Sequence, residues 1–210
     1  GTDGGDTEAS RDLFAMDTYM TVTAYGKGAT EAVDQAADEI SRLDQLLSTG
    51  NEDSEIYKIN QSGDGILSEE TAYLVERSLD LYEATDGAFD IAIYPVMKAW
   101  GFTDDNFRVP DADELKDLLT LTDASDISYD KEASQIAFKK DGMQIDFGGI
   151  AKGYTSARIM DIFRACGIKS GLVNLGGNVQ ALGTKKDGSS WRVAVQDPQD
   201  TDQYLGVLSI

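Results

Sequence analysis

The spacing of apolar residues changes several times along the 210-residue chain, and each change marks an element. Met20 to Tyr25 alternates apolar and polar positions with β-branched residues among them, which predicts a strand. Gly26-Lys27-Gly28 turns the chain. From Ala29 to Leu47 the residues Val33, Ala36, Ala37, Ile40, Leu43 and Leu47 form a helical stripe, ended by Ser48-Thr49-Gly50-Asn51. Ser54 to Asn60 predicts a short helical turn. Thr71 to Thr85 predicts a second long helix, with Leu74, Val75, Leu79 and Tyr82 on one face and Ser68, Glu69 and Glu70 at its start. An apolar-aromatic segment from Ala88 to Phe102 follows, then a peripheral helix from Asp111 to Leu119. From Ile127 the period falls to two. Ile127 to Asp130, Gln135 to Lys139 and Met143 to Phe147 predict three strands of a meander. A helix from Ala151 to Cys166 leads to strands at Gly171 to Asn174, Asn178 to Gly183, Trp191 to Gln196 and Leu205 to Ile210. Strands and helices in separate runs predict an α+β fold, not a doubly wound parallel sheet.

The chain opens on small, polar and acidic residues, and residues 1–12 are expected to be a disordered leader to one domain over residues 13–210. It stops at Leu208-Ser209-Ile210, inside a predicted strand, so a C-terminal portion is expected beyond it. The densest chemistry lies where the meander meets the next helix, at Asp146-Phe147-Gly148-Gly149-Ile150-Ala151-Lys152-Gly153-Tyr154. A strand running through glycines into a helix N-terminus is a recurring phosphate cradle. Free N–H groups and the positive helix end face the anion, and glycine lets the backbone approach. Lys152 adds a point charge. Neither the Walker A nor the dinucleotide-fingerprint spacing is present. The other reading of this stretch is a tight strand-to-helix turn with an incidental lysine.

Composition removes several alternatives. The net charge is −20, from 38 acidic and 18 basic residues. That field disfavours nucleic acid and anionic membrane surfaces, and a phosphorylated ligand must find local lysines, backbone amides or a divalent metal. The absence of histidine excludes Ser-His-Asp and Cys-His catalysis and any histidine-ligated zinc. The single cysteine, Cys166, reads as a buried small hydrophobe.

Four loops are candidate ligand binders: Met16 to Tyr19, Thr85 to Asp90 continuing to Trp100-Gly101-Phe102, Asp146 to Gly153, and Asn174 to Asn178. Taken singly each has a plain structural reading. Phe89 and Trp100 suit a core, Asp90 suits a cap toward Pro95, and Gly176-Gly177 suits a strand bulge. Together, two glycine-rich turns, an aromatic cluster with an embedded aspartate, and a lysine suit a ligand with both a ring and phosphates, a nucleotide or a flavin.

At these residues the chain resembles the ApbE family of flavin transferases. The matching segments are Met16-Asp17-Thr18, Asp53-Ser54-Glu55-Ile56 with Asn60, Thr85-Asp86-Gly87-Ala88-Phe89-Asp90 with Trp100-Gly101-Phe102, the glycine turn Asp146 to Tyr154, Leu172 to Asn178, and Trp191 to Pro198. The resemblance implies a T-fold-like α+β architecture and an FAD:protein FMN transferase that moves FMN from FAD to a threonine hydroxyl of a target protein and releases AMP. It implies FAD contacts at Met16, Ala88, Phe89, Asp90, Asp146, Lys152, Gly176 and Gly177, and a Mg²⁺ ligand in the carbonyl of Gly149. It further implies targets among subunits of membrane redox complexes, such as sodium-pumping NADH:quinone oxidoreductase. The acidic leader resembles the tether after a lipoprotein signal, which implies an extracytoplasmic, lipid-anchored protein. Catalytic residues are not assigned, because the family's C-terminal metal-binding segment is not in this sequence. The family's tyrosine after the Leu-Ser-Thr segment is replaced by Gly50, which leaves FAD hydrolysis to FMN and AMP as an alternative to transfer. A non-catalytic flavin-binding module is the third reading.

Overall fold

A computed structural model describes residues 8–210, and two compact units stand out: residues 8–43 with 152–210, and residues 44–151. In the first unit, β1 (Glu8–Ala15) and β2 (Thr18–Tyr25) form a hairpin, followed by the helix α1 (Ala29–Leu47). Part of the expected leader is therefore a strand, while residues 1–7 lie outside the described residues. β1 escapes a reading by alternation because it is an edge strand burying little beyond Ala9 and Ala15. Its register comes from the hairpin, with Ala15 opposite Thr18 and Glu8 opposite Tyr25.

The second unit runs through α2 (Glu55–Ser62), β3 (Asp64–Ile66), α3 (Glu69–Ala84), α4 (Tyr94–Trp100), α5 (Ala112–Leu119), β4 (Ile127–Asp130) and β5 (Gln135–Phe138). Its small antiparallel sheet has the order β3-β5-β4. The structure gives the apolar-aromatic segment its elements and corrects one expected strand. The apolar-aromatic segment contains a 3-10 turn at Ile91–Ile93 and then α4, with Pro95 in its first turn, where the missing N–H costs nothing. The third strand of the meander, Met143 to Phe147, belongs to no sheet; its place beside β5 is taken by β3, too short for periodicity to reveal. Met143, Ile145 and Phe147 are nonetheless buried in alternation. A side chain stands in for a neighbouring strand: Asn60 Nδ2 donates to the Ile145 carbonyl at 2.8 Å, and the Ile145 N–H donates to Asn60 Oδ1 at 2.7 Å. The Asp146 N–H donates to the carbonyl of Ile91.

The chain then enters α6 (Gly148–Ala165), β6 (Ser170–Leu175), β7 (Asn178–Leu182), β8 (Arg192–Gln196) and β9 (Tyr204–Ser209). The main sheet has the order β1-β2-β6-β7, antiparallel throughout, and β8 with β9 forms a separate hairpin. The first unit's core joins Met20, Val22 and Ala24 of β2 and Val173 and Leu175 of β6 to Val33, Ala36 and Ile40 of α1 and Ile159 and Phe163 of α6. Cys166 is half-buried at the margin of this core, not enclosed in it. Burial and the nearby Glu31 push its thiol pKa up, so it is a poor nucleophile.

Candidate functional site

In the second unit a cavity of about 490 Å³ is lined by Ala88, Phe89, Asp90, Asp146, Gly148 and Gly149, among others. Five of the nine residues expected to touch FAD or Mg²⁺ are thus brought together. Its volume lies within the range of ordinary small-molecule pockets. One wall begins at the end of α3, where Asp86 (φ 52°) and Gly87 (φ 78°) reverse the chain. The hydroxyl of Thr85 accepts from the Phe89 N–H at 2.9 Å and donates to the carbonyl of Leu81, so it ties the aromatic loop to the helix. The opposite wall is the glycine turn. Asp146 Oδ1 accepts from the Gly148 N–H at 2.7 Å, and a Cβ on Gly149 would lie 2.9 Å from Phe89 Cε2. Glycine at 149 therefore lets the first turn of α6 lie against the Phe89 ring. The Gly148 N–H is taken by Asp146, and the Ile150 and Ala151 N–H groups donate to the Phe147 carbonyl, so what α6 turns to the cavity is its positive end and close glycine backbone, not a row of open donors.

Asp90 lines the cavity, but its carboxylate is engaged in holding the loop. Oδ1 accepts from the Ala92 N–H at 2.8 Å, and Oδ2 accepts from the Ala124 N–H at 3.0 Å. The cap reading of Asp90 is the one this geometry fits. Burial raises its pKa, the two N–H groups oppose the rise, and the charge of Asp123 adds to it. Asp123 is the contrasting carboxylate: hydrogen bonds from Ser125 and then Tyr82 bring it down to about 2. A depressed carboxylate stabilises the fold above its unfolded value, roughly 3.9, and that contribution is lost as pH falls through about 2. Tyr82→Phe removes the 2.7 Å bond from the phenol and is expected to raise the Asp123 pKa. An NMR titration of the carboxyl checks this; an unmoved value would mean that Ser125 alone holds Asp123 down.

The other expected residues lie in the first unit. Met16 (φ 50°) and Asp17 (φ 59°) are the two tip residues of the β1–β2 hairpin, both left-handed. A two-residue turn of this hand favours Asn-Gly, so methionine and aspartate there are strained. Gly176 (φ 60°) and Gly177 (φ 90°) make the corresponding turn between β6 and β7. A Cβ on Gly176 would lie 2.4 Å from Thr18 Oγ1, so no side chain is tolerated there. The bulge reading of these glycines gives way to a hairpin turn. Because β2 pairs with β6, with Met20 opposite Leu175, both tips lie at the same end of the sheet. They meet α6 through buried hydroxyls. Thr155 Oγ1 lies 3.9 Å from Met16 Sδ, and Asn178 Nδ2 donates to Ser156 Oγ at 3.5 Å. Lys152, the fifth residue of α6, is half-buried and makes no hydrogen bond or ion pair among the described residues. Thr155 and Ser156 carry no pattern of their own in the sequence, and only the fold reveals them.

A hollow of about 590 Å³ in the first unit, lined by Tyr25, Lys185, Lys186, Asp187 and Trp191, is larger but holds none of the expected residues. The smaller cavity is the better candidate because a helix N-terminus and close glycine backbone face into it. For Mg²⁺ the described residues are a poor fit. They contain no group of three His, Cys, Asp or Glu side chains placed to hold a metal ion. Both Asp90 oxygens and Asp146 Oδ1 are occupied by backbone N–H groups. A hard cation takes most of its binding from carboxylate oxygens, and the Gly149 carbonyl alone does not supply that.

These features define an α+β protein with a glycine-turn ligand cavity. The chain belongs to the ApbE family, which it matches over residues 16–210. It is 32% identical to the FAD:protein FMN transferase of Treponema pallidum, over 93% of this chain and 60% of that protein. It is 28% identical to the Escherichia coli K12 FAD:protein FMN transferase, over 90% of this chain and 57% of that protein. The chain thus spans little more than half the length of these relatives. Among solved structures it superposes on the ApbE protein of Thermotoga maritima with a TM-score of 0.91 at 27% identity, over 97% of this chain and 68% of that one. The apo form of the Pseudomonas stutzeri flavinyl transferase ApbE gives 0.83 at 28% identity, over 98% and 67%. The expected α+β flavin-transferase fold is borne out.

Proposed function

We propose that this chain binds FAD and serves the transfer of FMN from it to a threonine hydroxyl of a target protein, with release of AMP. The observation that carries the reading is the cavity joining Ala88, Phe89, Asp146 and Gly149 at the N-terminus of α6. Phe89 offers a ring surface, and the positive end of α6 with its close glycine backbone suits an anion. The same reading assigns Lys152 and the turns at Met16 and Gly176-Gly177 to FAD. In the reaction the threonine oxygen forms a bond to the phosphorus on the FMN side. The bridging P–O bond breaks, AMP leaves with its electron pair, and the hydroxyl proton is released. The positive end of α6 and the Lys152 ammonium stabilise the charge that moves onto the phosphoryl oxygens.

Mg²⁺ belongs to the proposal through the family resemblance, with the Gly149 carbonyl as this chain's ligand. The 210-residue chain alone is expected to hold Mg²⁺ weakly and to transfer little FMN. Strong Mg²⁺-dependent labelling of a threonine by this chain would show that Gly149 and its surroundings suffice. Targets among subunits of membrane redox complexes, and an extracytoplasmic lipid-anchored location, are part of the same reading. The latter is supported by the composition of the acidic leader. No helix among the described residues is long and apolar enough to cross a membrane.

Product analysis tests the function. FAD incubated with a form of the protein that carries the family's C-terminal metal-binding segment and with a threonine-containing acceptor is expected to give protein-bound FMN and AMP in equal amounts. Free FMN with AMP would favour the hydrolytic reading, for which Gly50 is the motivating residue. A Cβ on Gly50 meets nothing within 4 Å, so Gly50→Tyr has room. It is expected to tighten FAD and raise the transferred share if this loop faces the flavin. An unchanged product ratio in a folded variant would remove Gly50 from the site.

A further inference from the structure

The second unit carries an aromatic ridge that the FAD cavity does not use. Trp100 at the end of α4 stacks on Phe102, with ring centroids 6.2 Å apart and planes 6° from parallel, and Phe102 in turn meets Phe107 at 6.0 Å. Phe102 is 57% exposed, Phe107 66% and Val109 78%. Aromatic side chains this open, grouped and mutually stacked are the signature of a contact surface and not of a solvated loop. The ridge is also preformed. Gly101 sits at φ 79° with its missing Cβ directed 2.0 Å from the Asn106 carbonyl oxygen, so the loop closes tightly on itself. The Asn106 N–H donates to Asp104 Oδ1, and the Arg108 N–H donates to the Trp100 carbonyl. A surface held this way loses little freedom when a partner binds.

Charge decides between partners. Residues 102–117 hold six carboxylates (Asp104, Asp105, Asp111, Asp113, Glu114 and Asp117) against Arg108 and Lys116. Arg108 is already forked onto Glu114. A second copy of this chain, with net charge −20, would bring like charge to an acidic ridge. A segment that alternates apolar side chains with lysine or arginine would complement it. The ridge lies between α4 and α5, whose Met97 and Leu119 line the cavity, and Leu119 is itself 59% exposed. A partner held on the ridge is therefore held by the same two helices that wall the cavity.

We infer that the Trp100-Phe102-Phe107 ridge docks a basic, apolar segment of the protein that receives FMN. This rests on the transferase reading. The probes are two fluorescein-labelled peptides of leucine, one threonine and either lysine or glutamate, followed by fluorescence anisotropy on the protein. The lysine peptide is expected to bind at least about 10-fold more tightly than the glutamate peptide. Phe102→Ser with Phe107→Ser should weaken it by about 10-fold or more. Asp104→Asn with Asp105→Asn keeps the Asp104 acceptor and an Asn-tolerant left-handed position, and should weaken it by roughly 3-fold while flattening its salt dependence. FAD affinity should stay within about 2-fold in the Asp104/Asp105 variant, since neither residue lines the cavity. Equal binding of the two peptides, or wild-type binding by the serine variant, overturns the inference. So does a concentration-dependent dimer in sedimentation that the serine variant abolishes, because a second copy would then be the occupant. Failure of the wild-type protein to bind FAD overturns the transferase reading instead, while the peptide arms still report on the ridge.

Discussion

Asn60→Leu is expected to destabilise the protein by about 3 kcal/mol, because it removes both backbone hydrogen-bond partners of one buried residue. Asn60 is 7% exposed and Ile145 is fully buried, so no water replaces what the amide supplies. The asparagine donates to the Ile145 carbonyl and accepts from the Ile145 N–H, a two-bond pairing of the kind a neighbouring strand makes. Leucine keeps the branched heavy-atom skeleton of asparagine, so the change removes the polar atoms without removing side-chain bulk. Each orphaned backbone group then costs roughly 1–3 kcal/mol. Urea unfolding should show a lower midpoint at an unchanged slope. The effect reaches function, because Ile145 adjoins Asp146 and the glycine turn, and FAD affinity should fall with stability. A loss below about 0.5 kcal/mol would mean that the segment finds other partners and that Asn60 is not its anchor.

The same residue shows why part of the fold was legible in the sequence and part was not. The stripe from Ala29 to Leu47 and the alternation from Met20 to Tyr25 report burial directly, and both elements stand where the pattern puts them. Burial was also legible in Met143 to Phe147, but alternation says nothing about what satisfies the backbone. There the partner is a side chain on α2, far away in sequence. β1 went unread for the opposite reason: an exposed edge strand has pairing without a buried face. At the site, the glycine turn was legible because glycine and a helix start have a direct physical meaning next to an anion. Asp90 was less so. Its sequence context gives a ligand contact and a loop cap equal standing, and only the two N–H groups on its oxygens favour the cap. The strained Met16-Asp17 tip had little signature beyond the family resemblance, since aspartate is compatible with a left-handed backbone but methionine does not announce one.

Lys152→Ala is expected to weaken FAD binding roughly 30- to 150-fold, the equivalent of about 2–3 kcal/mol for a charge-assisted hydrogen bond to a phosphate. The substitution is a clean one. Lys152 lies inside α6, alanine is a good helix former, and the lysine has no hydrogen bond or ion pair among the described residues to lose. Stability should change little, so the binding loss is not an unfolding effect. In a chain of net charge −20, a half-buried lysine beside a glycine turn has few substitutes as an anion partner. Asp146 separates position from charge. Asp146→Asn preserves the oxygen that caps Gly148 and removes the charge, whereas Asp146→Ala removes both. If the carboxylate's charge contributes to FAD, the two variants should weaken binding alike. If its work is to shape the turn, asparagine should bind near wild-type while alanine loses affinity together with about 1 kcal/mol of stability from the lost cap. Titration of flavin fluorescence against all three variants reads these outcomes. Wild-type affinity in Lys152→Ala and Asp146→Ala together would show that the glycine turn of α6 does not hold the FAD phosphates, and the cavity would then need another ligand.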